Sequence, residues 1–107
     1  MLIDAHKQSP QRQAMSGAEL ELSGDEVRPV AVALANETCL RILSLLCKRD
    51  LDISTLAENL NLTEPTVSVD VQELQNLGIV TVTYGKGKRG IRKICRLAKD
   101  RICIKLR

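Results

Sequence analysis

The sequence predicts an α+β domain in which three to four helices pack against a small antiparallel sheet that forms a wing. Apolar residues recur at helical spacing through most of residues 24–77, whereas β-branched residues dominate 79–84 and further extended segments follow at 91–97 and 102–106. Of the 107 residues, 44% are hydrophobic but only one is aromatic, so the core must be aliphatic. The length suits one domain over 18–107, preceded by a flexible arm over the non-periodic residues 1–17.

A short strand and two helices are predicted at the start of the domain. Residues 18–22 alternate polar and apolar side chains, which is typical of a strand. Ser23 and Glu26 have the spacing of a capping box, so a helix should follow them. Asn36 is a good N-cap for a second helix over 37–49. The apolar face of that helix is very wide, which indicates a central position in the core.

Two further helices joined by a tight turn come next. Ser54 should cap the first, which is short, and Thr63 should cap the second, which we predict over 64–77. Pro65 then falls in the first turn, where it is tolerated, and Gly78 follows the C terminus. The second helix is amphipathic, so one face can pack on the core while the other is free to enter a DNA major groove.

A basic hairpin is predicted to follow these helices. Strands at 79–84 and 91–97 flank a loop over 85–90 that contains three glycines and three cations. The G-x-G-x-x-G spacing of this loop does not indicate a dinucleotide site, because no helix follows it. Two short helices, a tight turn and a basic hairpin together describe a winged helix-turn-helix. In that fold one helix reads bases and the wing over about 85–93 contacts phosphates.

Charge is distributed very unevenly along the chain. Residues 86–107 carry ten basic residues against one acidic residue, whereas residues 1–85 carry six against twelve, so a net charge of +3 hides segments of +9 and −6. Nucleic acid is the commonest partner of such a basic segment. No apolar run approaches the roughly 18 residues of a membrane span, and the polar start is not a secretory signal. We therefore expect a cytoplasmic protein without membrane contact.

Several motifs resemble those of ArsR-type winged-helix regulators. They are ALANETCLRIL at 33–43, Leu56 and Ala57 followed by Leu60, PTVS at 65–68, and LQNLGIV at 74–80. The resemblance extends over about residues 25–97. It implies a prokaryotic DNA-binding transcriptional regulator that is usually a homodimer. It also implies that positions 64, 66, 68, 69 and 72 face DNA.

The sequence departs from the family pattern in several places. Cys39 stands where the motif usually has Arg, and Asp70 stands where many members have His. The recognition helix is acidic, with Glu64, Asp70 and Glu73 and no Lys or Arg. Typical members continue beyond the wing into a dimer-forming helix, whereas this sequence ends at Arg107. Two alternatives follow: dimerisation uses the N-terminal elements, or the chain is the DNA-binding end of a longer architecture.

The predicted DNA-binding residues lie on the recognition helix and the wing. On a helical wheel centred on Val67, Gln72 and Val69 point outward. Gln72 can make a bidentate contact to adenine, and Val69 suits a thymine methyl group. Small hydroxyl side chains can bond bases or phosphates, and wing cations can neutralise phosphates. The predicted set is Thr66, Ser68, Val69, Gln72, Lys86, Lys88, Arg89, Arg92 and Lys93.

Two alternatives to simple DNA binding remain at this stage. The acidic recognition helix suits a basic protein surface, which would make the domain a protein–protein adaptor. The four cysteines (Cys39, Cys47, Cys95 and Cys103) suit either buried small thiols or a thiol- or metal-responsive regulator, since arginines neighbour Cys95 and Cys103 in the sequence.

Neither an enzyme nor a resident cofactor is expected. There is no C-x-x-C pair, and residues 48–60 lack the family's metal-thiolate motif, so no metal site is predicted. The sequence contains no cysteine–histidine neighbourhood and no H-E-x-x-H motif. Asp50 and Asp52 are interpreted as solvated loop acids rather than as a catalytic pair.

Overall fold

The structure is a computed structural model that describes residues 2–4, 18–88 and 90–107. Within these ranges four helices accompany two three-stranded sheets, which confirms the predicted α+β winged helix-turn-helix. The elements in chain order are β1 (Leu2–Asp4), β2 (Glu19–Ser23), a 3-10 turn (Gly24–Glu26), α1 (Val27–Ala35), α2 (Glu37–Leu46), β3 (Leu51–Asp52), α3 (Ile53–Leu60), α4 (Glu64–Asn76), β4 (Val80–Gly87), β5 (Gly90–Leu97) and β6 (Arg101–Lys105).

The wing is an antiparallel sheet in the order β3-β5-β4. Its hairpin is longer than predicted, because paired residues continue as far as Gly87 opposite Gly90. The predicted loop over 85–90 is therefore mostly strand. Glycine has a low strand propensity, but here the backbone pairing of the hairpin overrides that preference.

A second sheet joins the two ends of the domain in the order β1-β6-β2. β6 pairs in parallel with β2 and antiparallel with β1, a long-range arrangement that the sequence did not predict. β1 lies within the predicted arm over 1–17. The rest of that arm, Met1 and 5–17, lies outside the described residues, so the division at residue 18 stays a prediction.

The N-caps of α2 and α4 are those that the sequence predicts. Asn36 Oδ1 accepts a hydrogen bond from the backbone N–H of Cys39 at 3.1 Å. Thr63 Oγ1 accepts one from the backbone N–H of Thr66 at 3.4 Å. Each oxygen satisfies a backbone donor that the first helical turn leaves unpaired. α2 is shorter than predicted and ends at Leu46.

The predicted cap of α3 is wrong. Asp52 rather than Ser54 caps this helix, because the Asp52 Oδ1 atom accepts a hydrogen bond from the backbone N–H of Thr55 at 2.8 Å. The backbone is extended at Asp52 and already helical at Ile53, so Ser54 comes too late to act as the cap. The chain therefore passes from β3 directly into α3, which places the start of this helix beside the wing.

The helices and the base of the wing share an aliphatic core with α2 at its centre. α2 contacts α1, α3, α4 and β5, as its wide apolar face predicts. No single helix in the described ranges is long and apolar enough to cross a membrane; only the bent pair Gly24–Ala35 and Glu37–Leu46, which meet at 86°, passes that test together. The largest fully buried side chains are Ile42, Leu46, Leu56, Leu74, Leu97, Val30, Val67, Val80, Cys39 and Cys95.

Two of the four cysteines belong to this core. Burial raises the pKa of both Cys39 and Cys95 from 9.0 to about 11, and for Cys39 the nearby carboxylates of Asp70 and Glu73 add to the effect. The neighbouring arginines in the sequence do not lower the pKa of Cys95, contrary to the sensor hypothesis. Thiols with such a pKa are poor nucleophiles.

The remaining two cysteines, Cys47 and Cys103, are half-buried, and none of the four forms a disulfide. In the part of the chain that the structure describes, no three His, Cys, Asp or Glu side chains are grouped so that they could hold a metal ion.

We predict slow alkylation of Cys39 and Cys95 in the folded protein at mildly alkaline pH. A pKa raised from 9.0 to about 11 leaves roughly 100-fold less thiolate, and burial of both side chains also blocks the reagent, so each should react at least about 100-fold more slowly than in the urea-unfolded chain. Timed iodoacetamide labelling followed by peptide mass spectrometry measures each site. Rates for Cys39 and Cys95 that match those of the unfolded chain would contradict the buried placement.

A second prediction concerns Gly78, whose φ of +80° ends α4. A Cβ at this position meets no atom within 4 Å, so Gly78→Ala should destabilise the fold through backbone strain alone, by roughly 1 kcal/mol. Asn61→Gly is the matched control, because Asn61 has a φ of 57° and glycine is unstrained there. It should change stability by less than about 0.5 kcal/mol. Urea unfolding measures both, and equal effects would contradict the strain argument.

Candidate nucleic-acid interface

The outward face of α4 carries the helix residues that the sequence predicts to contact DNA. Val67, Val71 and Leu74 are buried against the core. Val69 on the opposite side is 69% exposed, and Gln72 is also exposed. Thr66 is exposed and Ser68 is half-buried. An exposed β-branched apolar side chain among polar neighbours is a feature that base contact would explain.

Local hydrogen bonds order two of these side chains. The hydroxyl groups of Thr63 and Thr66 lie 2.8 Å apart, so the N-cap residue holds Thr66 against the start of the helix. Gln72 Nε2 donates to Asn76 Oδ1 at 3.0 Å. In the described ranges no hydrogen bond uses Gln72 Oε1. The amide therefore has an acceptor and a second N–H hydrogen for a base edge.

A groove separates α4 from the wing and brings the two predicted groups of residues together. It is a small cavity of about 70 Å³. Ser68 and Gln72 line one wall and Lys93 lines the other. Gln75 and Tyr84 also line it, and the sequence analysis did not select either residue. Tyr84 lies directly opposite Lys93 in the hairpin. Tyr84 is the only aromatic residue in the sequence, and that feature could have marked it as a candidate site residue.

Two of the three acidic residues of α4 lie on the flank that faces α2. Asp70 and Glu73 are close enough to raise the pKa of the buried Cys39 thiol on α2, after burial itself. Ser68 and Gln72, by contrast, line the groove beside the wing. The negative charge of this helix is therefore directed mainly away from the groove. The described residues show no ion pair between Asp70 and the basic side chains near the end of α2.

The cations of the wing divide between its two faces. Side chains alternate along each strand, and Tyr84 pairs with Lys93 while Lys86 pairs with Ile91. Lys86 and Lys93 therefore share the face that carries Tyr84, whereas Arg92 lies on the opposite face. Lys88 is exposed at the turn. Arg89 lies outside the described residues, so its predicted contact stays a prediction.

Arg92 is bound to the start of the helix-turn-helix. Its Nε atom donates to Asp52 Oδ2 at 2.8 Å. Hydrogen bonds from Thr55, followed by Arg92, hold the pKa of Asp52 below its usual value. The Asp52 side chain is only 13% exposed, so its interpretation as a solvated loop acid is wrong. Its neighbour Asp50 lies 4.0 Å from the Arg96 guanidinium.

Gly87 makes room for the Arg92 side chain. A Cβ at Gly87 would lie 2.5 Å from Arg92 Cγ, a distance that real Cβ contacts do not show. The aliphatic stem of Arg92 thus crosses the hairpin over Gly87, and any larger residue there would force the Arg92 side chain to move. This packing is a structural reason for a glycine at the wing tip.

A basic cleft lies between the start of α3 and the wing tip. Its volume is about 710 Å³. Lys86, Lys88 and Arg92 line it, together with Asp52 and Ser54. Arg92 faces this cleft and Lys88 adjoins it at the turn, whereas Lys86 borders it from the other face of the hairpin. Anionic groups are the ligands that such a surface attracts.

Comparisons with known proteins match this architecture. The family model for "Bacterial regulatory protein, arsR family" matches residues 36–82, from the N-cap of α2 into β4. A search of curated protein sequences found no significant match. The transcriptional regulator HlyU from Vibrio vulnificus is 26% identical, with a TM-score of 0.54, covering 67% of this chain and 71% of that chain.

Two structures of a fragment from Mycobacterium bovis are each 31% identical to this chain, with TM-scores of 0.60. The crystal structure, of a possible transcriptional regulatory protein, covers 69% of this chain and 75% of that chain. The solution structure is of the homodimeric winged helix-turn-helix DNA-binding domain of Mb0332, a possible ArsR-family transcriptional regulator, and covers 69% of this chain and 65% of that chain. By this similarity the chain belongs to the arsR family of bacterial regulatory proteins.

Proposed function

We propose that this protein is a sequence-specific double-stranded DNA-binding transcriptional regulator that acts as a homodimer. The observation that carries the proposal is the groove in which Ser68 and Gln72 of α4 face Lys93 of the wing. A surface that combines base-reading side chains with a cation suits a duplex, whose bases and phosphates alternate in space. The homodimeric M. bovis relative supports the oligomeric state.

Each part of the surface has a different task in this mechanism. α4 lies in the major groove, where Gln72 reads an adenine edge, Val69 packs on a thymine methyl group, and Thr66 and Ser68 contact bases or phosphates. Wing cations neutralise phosphates beside the groove. α4 carries no basic residue, so affinity comes mainly from the wing and sequence preference from the helix.

The direction of the α4 carboxylates favours this function over the adaptor alternative. That alternative rested on the acidity of the recognition helix. Asp70 and Glu73 are near Cys39 on α2, so two of the three acids repel phosphate less than the sequence alone implies. Binding to a basic protein through α4 remains an outcome of the following experiment.

Selection from a random double-stranded DNA pool tests the function directly. We expect the purified protein to enrich one palindromic motif, because a two-fold symmetric dimer binds two half-sites. Sedimentation of the protein with the selected site should give two chains per duplex. Failure to enrich any motif, together with a specific protein partner that requires the exposed face of α4, would favour the adaptor.

We further predict opposite effects of wing and helix substitutions. Replacing Lys86 and Lys88 by Ala should reduce the magnitude of the slope of log K against log salt concentration by about 1.8, since each phosphate contact contributes about 0.9. The loss should be similar on selected and random DNA. Gln72→Ala should instead cost about 1–3 kcal/mol on the selected site and little on random DNA. Fluorescence anisotropy at several salt concentrations measures both quantities.

The double variant Arg28→Ala and Lys105→Ala is the control for charge. It removes two cations on α1 and β6 that line neither the groove nor the basic cleft, so the salt slope should change much less than in the wing variant. Equal slopes in the wing and control variants would refute phosphate binding by the wing. A Gln72→Ala loss of equal size on random DNA would refute its role in base reading.

A further inference from the structure

We infer that Asp52 is a positioning residue, which holds the guanidinium group of Arg92 for contact with a DNA backbone phosphate in the cleft between α3 and the wing tip. The inference rests on the proposed function and goes beyond it. It assigns the phosphate contact to a two-residue unit rather than to the charge of Arg92 alone.

The two carboxylate oxygens of Asp52 have separate partners. Oδ1 accepts the backbone N–H of Thr55 at 2.8 Å and thereby fixes the carboxylate on the first turn of α3. Oδ2 accepts the Nε–H of Arg92 at 2.8 Å. Because the Asp52 side chain is 13% exposed, its position is determined by the helix rather than by solvent. Asp52 thus holds the wing residue Arg92 against the start of α3.

The use of Nε is the feature that points to a second partner. A guanidinium has five N–H donors, of which Nε supplies one and the two Nη groups supply four. None of the hydrogen bonds within the described ranges uses an Arg92 Nη atom, and the side chain is 49% exposed. The Nη pair can therefore form the two parallel bonds that a phosphate accepts from arginine.

The surroundings of Arg92 supply the rest of an anion site. Lys88 at the turn lines the same cleft, and so does Ser54 from the start of α3. Gly87 leaves space for the stem of Arg92 to lie across the hairpin, with a Cβ excluded at 2.5 Å from Cγ. The hydrogen bond to Asp52 and the packing over Gly87 restrict the rotamers of Arg92 before DNA arrives. This lowers the entropy cost of forming the phosphate contact.

Asp52→Asn is the most informative variant. Asparagine caps helices about as well as aspartate, so α3 should be retained, while the charged partner of Arg92 is lost. The variant is more positively charged by one unit, and simple attraction predicts tighter DNA binding. The positioning role predicts the opposite: several-fold weaker binding and a salt slope smaller in magnitude by up to about 0.9.

Asp50→Asn is the matched control. It makes the same change of charge two residues earlier, beside Arg96 on the same strand of the wing. Its carboxylate lies 4.0 Å from its arginine and does not cap α3. Asp50→Asn should therefore bind DNA as well as the wild type or more tightly, with an unchanged salt slope. Circular dichroism and urea unfolding establish that both variants are folded.

Arg92→Lys completes a double-mutant cycle. Lysine keeps the charge but lacks the planar fork that can bond Asp52 and a phosphate together. We expect Arg92→Lys to weaken binding as much as Asp52→Asn does. The double variant should bind DNA no more weakly than either single variant, because each substitution already disrupts the same Asp52–Arg92 pair.

A measurement on the free protein checks the Asp52–Arg92 bond independently of DNA. The Nε–H NMR signal of Arg92, identified by its loss in Arg92→Lys, should shift in Asp52→Asn and not in Asp50→Asn. Adding duplex DNA to the wild type should shift the same signal, whereas inorganic phosphate at equal ionic strength should not. A shift with inorganic phosphate and none with DNA would assign the cleft to a free anion and overturn the inference.

The outcomes also separate this inference from the proposed function. If wild type and Asp50→Asn bind DNA and Asp52→Asn binds equally well, the positioning role is refuted while the function stands. Additive losses in the double-mutant cycle would likewise refute it. If the wild type enriches no DNA sequence and binds no duplex, the proposed function fails, and the inference fails with it.

Discussion

The position of the proposed DNA-binding surface depends on the burial of one end of β5. Cys95 and Leu97 of this strand, and Val80 opposite Leu97, are at most 1% exposed. The other end of the same strand extends into solvent and carries Arg92 and Lys93. β5 is paired with β4 along its whole length, and β3 adds a second partner at Ile94 and Cys95, next to the residues that carry the cations. Packing in the core therefore fixes where the wing cations lie relative to α4.

The same burial explains features that otherwise look unrelated. It removes Cys95 from water, so the thiol pKa is high despite basic neighbours in the sequence. It also brings Asp52 beside Ile94 in the β3–β5 pair, within reach of Arg92. The burial of Cys95 and the position of the wing arginine beside Asp52 thus follow from a single packing arrangement.

Features determined by neighbouring residues could be predicted from the sequence. The caps at Asn36 and Thr63, the first-turn position of Pro65 and the turn at Gly78 each require only a few adjacent residues, and the structure has all four. The exposed positions of Val69 and Gln72 follow from helical periodicity in the same way. Local chemistry was sufficient for α4 and its outward face, whereas it misplaced the cap of α3, which is Asp52 rather than Ser54.

Features that depend on distant residues could not be predicted. The β1-β6-β2 sheet joins residues about a hundred positions apart, and no local pattern records such a register. Asp52 and Arg92 are separated by 40 residues, so their pairing was invisible and Asp52 was interpreted as solvated. The flank occupied by Asp70 and Glu73 also depended on where α2 packs. In each case the missing information was which elements are neighbours in space.

The alternation of side chains along β5 shows why charge alone does not describe the wing. Arg92 and Lys93 are adjacent in sequence and equal in charge, yet they point to opposite faces of the hairpin. Lys93 lines the groove beside Gln72, whereas Arg92 is bound to Asp52 at the start of α3. One cation is therefore placed by the strand alone and the other by a carboxylate as well. Because an ion pair with a largely buried carboxylate restricts a side chain more than exposure to solvent does, the guanidinium group of Arg92 is held more precisely than the ammonium group of Lys93.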